Sequence, residues 1–316
     1  SAQVNPTGTI PLSEAQFRAN IDRCICVDQD KNVFFLVDND GKFAAFMLNE
    51  EADKLISLKS DINALFNSPV LGYNSKDDIV YQFWANRDSH EVYYFDPKTD
   101  YAPTTAISSI SWDDPNFPNI EGFGVWAAKC NFTMGPDGKM YSRMLGGNLV
   151  RIDVENARGE NLTNGDLVGT KDGSSYGLVF DPQDENVFYF SNNDKHCIYK
   201  YDLRTKECAC WAGQEGKSGY LDGPIGQAMF NKPGQMCVDS EGNIILTDTE
   251  NHCIRKITMS TGYVSTLAGK PQNSGYVNGS AEDAQFKKPL GICIDNDDVM
   301  YIGDSENRAI RRLAVE

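Results

Sequence analysis

FNKPGQMCVDSEGNIILTDTENHCIRKI, residues 230–257, recurs without a gap as FKKPLGICIDNDDVMYIGDSENRAIRRL at residues 286–313. The offset is a constant 56 residues and ten of the 28 aligned positions are identical, so the chain is built from a repeat. The approach segments match as well, with Gly219-Tyr220 against Gly275-Tyr276, Gly223 against Gly279 and Ala228 against Ala284. Within a copy, short apolar runs alternate with turn residues. Gln235 to Asp239 ends at Asp-Ser-Glu-Gly, Ile244 to Thr247 ends at Asp-Thr-Glu-Asn-His, Cys253 to Ile257 follows, and Tyr263 to Ala268 leads into a Gly-rich return loop. Such runs predict strands. Four antiparallel strands per repeat, a to d from the axis outward, make one propeller blade. The inner strands are apolar almost throughout, as expected where both faces of a sheet are covered.

Working outward from this pair, 316 residues at roughly 50 to 56 per blade leave room for six blades. The expectation is an all-β chain folded as a single six-bladed β-propeller over 1–316, with blades at about 13–60, 66–100, 124–165, 173–213, 228–269 and 284–316, and an insertion at 101–123. The last blade runs out of chain after its third strand, at Leu313 to Val315. Gln3 to Ile10, within a closing strand at 1–10, is expected to supply the missing outer strand and leave no open edge.

The formal net charge is −16 with a pI near 4.6, which argues against phosphate backbones and anionic membrane surfaces as partners. No apolar stretch is long enough to span a bilayer. The nine cysteines show no paired metal-ligand spacing. Cys26, Cys237 and Cys293 stand two residues before an Asp in three inner strands and read as small buried hydrophobes.

Pro289 to Asp295, Ile245 to Lys256 and Ser265 to Gly269 resemble the NHL-repeat propeller family. The resemblance is strong over 219–316 and implies six blades. In flavour the chain is similar to secreted or surface NHL proteins of Bacteroidetes, in which the propeller often follows an IPT/TIG domain, so an extracytoplasmic location is expected. Family membership does not fix function, because related propellers bind RNA, bind proteins or act as lyases and hydrolases. Related amidating lyases hold zinc through histidines converging on the central channel, and three histidines at hairpin tips do not reproduce that pattern.

All three histidines fall just before a third strand, and the turn aligns in six blades at Lys42, His90, Asn148, His196, His252 and Arg308. The b–c turns and d–a return loops open on one face. His90, His196, His252 and Arg308, with Tyr101, Trp112 and Trp126 of the aromatic insertion, are therefore expected to share a rim suited to a glycan or a protein ligand. No catalytic residue, metal ligand or cofactor is assigned, although so acidic a chain leaves room for a structural calcium ion. The alternative is a hydrolase or lyase with calcium or zinc in the central channel. Gly173-Ser174-Ser175-Tyr176-Gly177 spells a nucleophile elbow but precedes a propeller strand rather than a helix. Asp38-Asn39-Asp40-Gly41 begins like a calcium loop but carries Asn49 at the twelfth position. The repeat acids and arginines, Asp38, Asp248 and Asp304 with Arg255 and Arg311, are expected to form blade-to-blade ion pairs.

Overall fold

In the computed structural model the described residues are 2–5, 20–39, 42–51, 55–63, 69–83, 91–114, 130–144, 147–163 and 174–315. Among them there is no α-helix, and the strands form antiparallel units stacked through apolar clusters. The inner strands are Asn20–Val27, Val70–Asn74, Phe132–Met134, Leu178–Phe180, Pro233–Val238 and Pro289–Ile294. From each the chain steps outward through successive hairpins. The repeat is most regular in residues 233–268, where Pro233–Val238, Ile244–Asp248, Cys253–Thr258 and Tyr263–Ala268 pair in order. The units of residues 70–107 and 132–161 are joined into one sheet by a parallel pairing of Phe132 with Gly72 and Thr133 with Tyr73.

The turn between strands a and b needs one residue in the left-handed region. Lys31, Gly138, Gly242 and Asp298 fill that repeat position with φ of 63°, 77°, 79° and 60°. An Asp at the end of strand a then caps the turn: Asp239 Oδ1 accepts from the Glu241 and Asn243 amides at 3.0 and 2.8 Å, and Asp295 Oδ1 from those of Asp297 and Val299. Side chains also tie adjacent turns. Lys31 Nζ donates to Asp295 and Asp297 at 2.8 and 2.7 Å, and Asp78 accepts from the Gln29 amide at 2.9 Å.

Ala2–Asn5 lies antiparallel to Ala309–Val315, with Ala2 opposite Val315 and Asn5 opposite Arg312, and its other edge meets Gly279–Ser280. The amino-terminal chain thus takes the fourth strand place in the last unit, and residues 6–10 of the expected Gln3 to Ile10 lie outside the described residues.

Two expectations need correction. Pro103–Ile107, assigned to the insertion, is the fourth strand of its unit, paired with Val92–Phe95. Its alternating burial is that of an ordinary edge strand, and its polar residues hid it. Ser111–Trp112 adds a parallel edge beside Arg158–Asn161. The ion pairs run within blades rather than between them. Arg255 Nη1 meets Asp248 Oδ2 and Arg311 Nη1 meets Asp304 Oδ2, each at 2.7 Å with both partners fully buried. The pairing is local because Asp248 ends the second strand and Arg255 projects from the third, one hairpin away.

Each guanidinium also reaches the incoming loop. Arg255 donates to the Leu221 and Met229 carbonyls at 2.9 Å and stacks between Tyr220 and Phe230; Arg311 repeats this with Val277, Gln285, Tyr276 and Phe286. Burial pushes the Asp248 and Asp304 carboxyls up to about 6, and the adjoining guanidinium keeps both ionised at neutral pH.

Asp304→Asn takes the buried carboxylate away from Arg311 and is expected to cost about 3–5 kcal/mol in denaturant unfolding, whereas Glu241→Gln, at an exposed turn, leaves stability within about 0.5 kcal/mol. Deleting residues 1–5 is expected to lower Tm and speed amide exchange across Ala309–Val315, read by mass spectrometry.

Candidate functional site

The inner strands converge on an axis, and whatever fills that axis decides whether a site exists there. Gln235 interrupts the apolar run of its strand and projects across it. Its Oε1 accepts from the Ile25 and Ile292 amides at 3.0 and 3.1 Å, and its Nε2 donates to the Ile25 carbonyl at 3.1 Å. One buried amide therefore bolts three inner strands together. Small residues make room beside it. A Cβ on Gly291 would lie 3.1 Å from Gln235 Oε1, and one on Gly177 would lie 2.6 Å from the Gln235 Cα. Asn131, at the same repeat position as Gln235, accepts from the Leu178 amide at 3.3 Å and donates to Thr133 at 2.9 Å.

Both amides stand toward the d–a end of the axis. Toward the a–b turns it widens into a cavity of about 360 Å3 lined by all six inner strands together with Ser75, Asp181 and Pro182 of the turns. That volume lies in the range of small-molecule sites. Its wall is mostly Ile, Val, Leu, Met and Phe. Cys26, Cys237 and Cys293 also face it, and all nine cysteines of the chain are free thiols. Burial pushes the Cys26 thiol up to about 12, and pushes Cys237 and Cys293 up as well. Of the other ionisable groups, Tyr73 donates to Asp78 at 2.7 Å, and Asp181 accepts from Tyr189 at 2.6 Å and from two turn amides.

Of the seven rim residues expected from the sequence, five are described, and these five are not gathered on one face. His196 and His252 do occupy equivalent b–c turns, in left-handed conformations with φ of 56° and 55°, and Arg308 matches at 53°. Each imidazole has a structural partner: His196 Nδ1 accepts from the Lys232 amide and His252 Nδ1 from the Lys288 amide, both at 3.0 Å. They latch one blade to the start of the next. Tyr101 lies after a c–d turn, on the opposite face, where its hydroxyl accepts from Asn32 at 3.1 Å and its ring packs 6.0 Å from Phe34. Trp112 is spread over Gly159, where an added Cβ would come within 2.6 Å of the indole. His90 and Trp126 lie outside the described residues. Among the described residues no group of three His, Cys, Asp or Glu is placed to hold a metal ion.

Sequence reasoning missed Gln235 and the cavity beside it. The available signal was a polar residue inside an apolar inner strand, at a position that is Gly in two other blades, Gly177 and Gly291.

Residues 230–257 match the family model of the NHL repeat, so the chain carries an NHL repeat there, within a propeller fold. It is 25% identical over 271 residues to Protein SUPPRESSOR OF QUENCHING 1, chloroplastic, of Arabidopsis thaliana, and 36% identical over 152 residues to NHL repeat-containing protein 2 of Gallus gallus. These matches take in 79% and 48% of this chain but 25% and 19% of those proteins, so the chain spans about a quarter or less of their length. A structural-genomics protein from Bacteroides thetaiotaomicron VPI-5482 superposes with a TM-score of 0.78 at 20% identity, covering all of this chain and 76% of its own. A second structure from that organism, described as an auxiliary nutrient binding protein, gives 0.70 at 20% identity over 93% of this chain and 68% of its own. Virginiamycin B lyase from Staphylococcus aureus gives 0.61 at 13% identity, with both chains fully covered. At these identities the structural likeness shows the fold alone.

Gln235→Ala leaves two amides and a carbonyl at the axis without partners and is expected to cost about 2–4 kcal/mol in chemical unfolding. Burial holds the His196 and His252 imidazoles below the ordinary value of 6.5. The unfolded chain then binds protons that the folded one refuses, so the stability these latches contribute is complete above pH 6.5 and lost as pH falls below it. Tm is expected to drop below that pH, and a His196→Gln, His252→Gln variant, whose acceptors do not titrate, to flatten the drop.

Proposed function

We propose that the chain is a non-enzymatic binding propeller that works outside the cytoplasm, at a cell surface or in a periplasm, and takes a small-molecule ligand into its axial cavity. The observation that carries this reading is a cavity of about 360 Å3 walled by every inner strand and reached from the a–b turn face. The wall is rigid sheet, so the ligand meets a largely preformed site and little ordering cost opposes binding. Kinship in fold with Bacteroides proteins described as nutrient-binding supports the class and the location. No helix among the described residues is long and apolar enough to cross a membrane.

The cavity suits a compact apolar group better than a sugar ring, which needs many unspent polar partners; the side-chain amides of Gln235 and Asn131 are already engaged. A glycan or protein on the b–c rim is disfavoured because the two described histidines there serve as backbone latches. Binding is favoured over hydrolase or lyase activity because the ionisable side chains of the wall are three thiols held protonated by burial, a tyrosine bonded to a carboxylate and a turn-capping aspartate. None of these is poised as a base or nucleophile. The net charge of −16 sets polyanionic partners aside.

The neutral dye N-phenyl-1-naphthylamine tests the reading. Its fluorescence is expected to rise with saturable stoichiometry on titration into the protein, and Cys237→Phe, which fills the cavity, is expected to abolish the rise while keeping the circular-dichroism melt. No enhancement in the native chain, or the same enhancement in the filled variant, would refute it.

A further inference from the structure

The mouth of the cavity carries a charge pattern that the repeat itself writes. In each blade the residue after the last wall position of the inner strand begins the a–b turn. That residue is Asp in four blades, at Asp28, Asp181, Asp239 and Asp295, with Asn74 and Gly135 in the other two. The turns that follow, at 28–32, 74–78, 135–139, 181–186, 239–243 and 295–299, hold thirteen carboxylates against three lysines, a net −10 out of −16 for the whole chain. Most of the excess negative charge therefore lies in the a–b turns, on the face onto which the apolar cavity opens, with Asp181 in the cavity wall itself.

These carboxylates do not swing freely. Asp28 is held by the Asn32 amide at 2.8 Å, Asp181 by the Gln183 and Asp184 amides, and Asp239 by those of Glu241 and Asn243. Asp295 and Asp297 share Lys31, Asp184 meets Arg204 at 2.8 Å and Asp137 lies 3.6 Å from Arg151, which leaves most of the turn carboxylates without a cationic partner among the described residues. Fixed charges of one sign around a low-dielectric well focus the field along its axis, and a ligand cation meets them without reorganisation.

We infer that the cavity takes a ligand joining a compact apolar body to an ammonium or guanidinium group, with the apolar part against the inner strands and the cation at the ring of turn carboxylates. The inference rests on the binding reading above and narrows it to cationic amphiphiles. Anionic ligands of the same shape are rejected by the same field.

The test uses three competitors of one shape against N-phenyl-1-naphthylamine at low salt: 1-naphthylmethylamine, 1-naphthylmethanol and 1-naphthoate. The amine is expected to displace the dye about tenfold more tightly than the alcohol, and the naphthoate about tenfold more weakly. Raising NaCl to about 0.5 M should narrow the spread, because the Debye length shrinks well below its value of about 10 Å at 0.1 M. Asp181→Asn with Asp239→Asn removes two charges while keeping the turn caps, since Asn74 already caps its own turn through Oδ1 to the Lys76 and Asp77 amides. That variant should lose the preference for the amine, read as the ratio of amine to alcohol displacement. Equal displacement by all three competitors would overturn the charge inference and leave the cavity reading standing. Absence of dye binding in the native chain would overturn both. Stoichiometric calcium binding that abolishes the preference for the amine would assign the ring to a metal ion and overturn the inference.

Discussion

Convergence at the axis is the constraint on which the remaining structure depends. Strands that splay outward are crowded at their inner ends, where backbone amides face one another with no room for water. Gln235 meets that demand by pairing with both the amide and the carbonyl of Ile25 and with the amide of Ile292. Glycines at Gly177 and Gly291 let the neighbouring backbones come close enough. The bolt is off centre along the axis, with a cavity beside it.

The repeat supplies the peripheral counterpart of this bolt. In residues 248–255 and 304–311 an Asp, an Asn and an Arg are spaced so that strand, turn and incoming loop are tied by one buried ion pair. Asn251 and Asn307 carry the tie to the Gly219 and Gly275 carbonyls at 2.9 and 2.8 Å. His196 and His252 then stitch each b–c turn to the next blade. The described histidines of the b–c face are thus engaged in holding the propeller together, and the cavity and the acidic turns lie on the opposite face.

The candidate site was less legible in the sequence than the fold. The constant 56-residue offset revealed strand order and blade type, because strand and turn signals are local and recur. The histidines were visible as a set, yet a hairpin-tip His reads the same whether it meets a ligand or a backbone amide of the next repeat. Tyr101 looked like part of an exposed aromatic platform until Pro103–Ile107 proved to be an edge strand, which places Tyr101 beyond a c–d turn on the other face. Gln235 was hidden because its partners are 210 and 57 residues away.

By itself the sequence determined the strands of the regular repeats, the repeat, the all-β propeller class and the acidity of the a–b turns, since each follows from residues near one another in the chain. Only the tertiary structure decided that Arg255 and Arg311 pair within their own blades, that the described histidines are latches, and that Gln235 crosses the axis beside a cavity. These outcomes turn on which backbone groups from distant repeats come within about 3 Å of a side chain. Local periodicity carries no record of that distance.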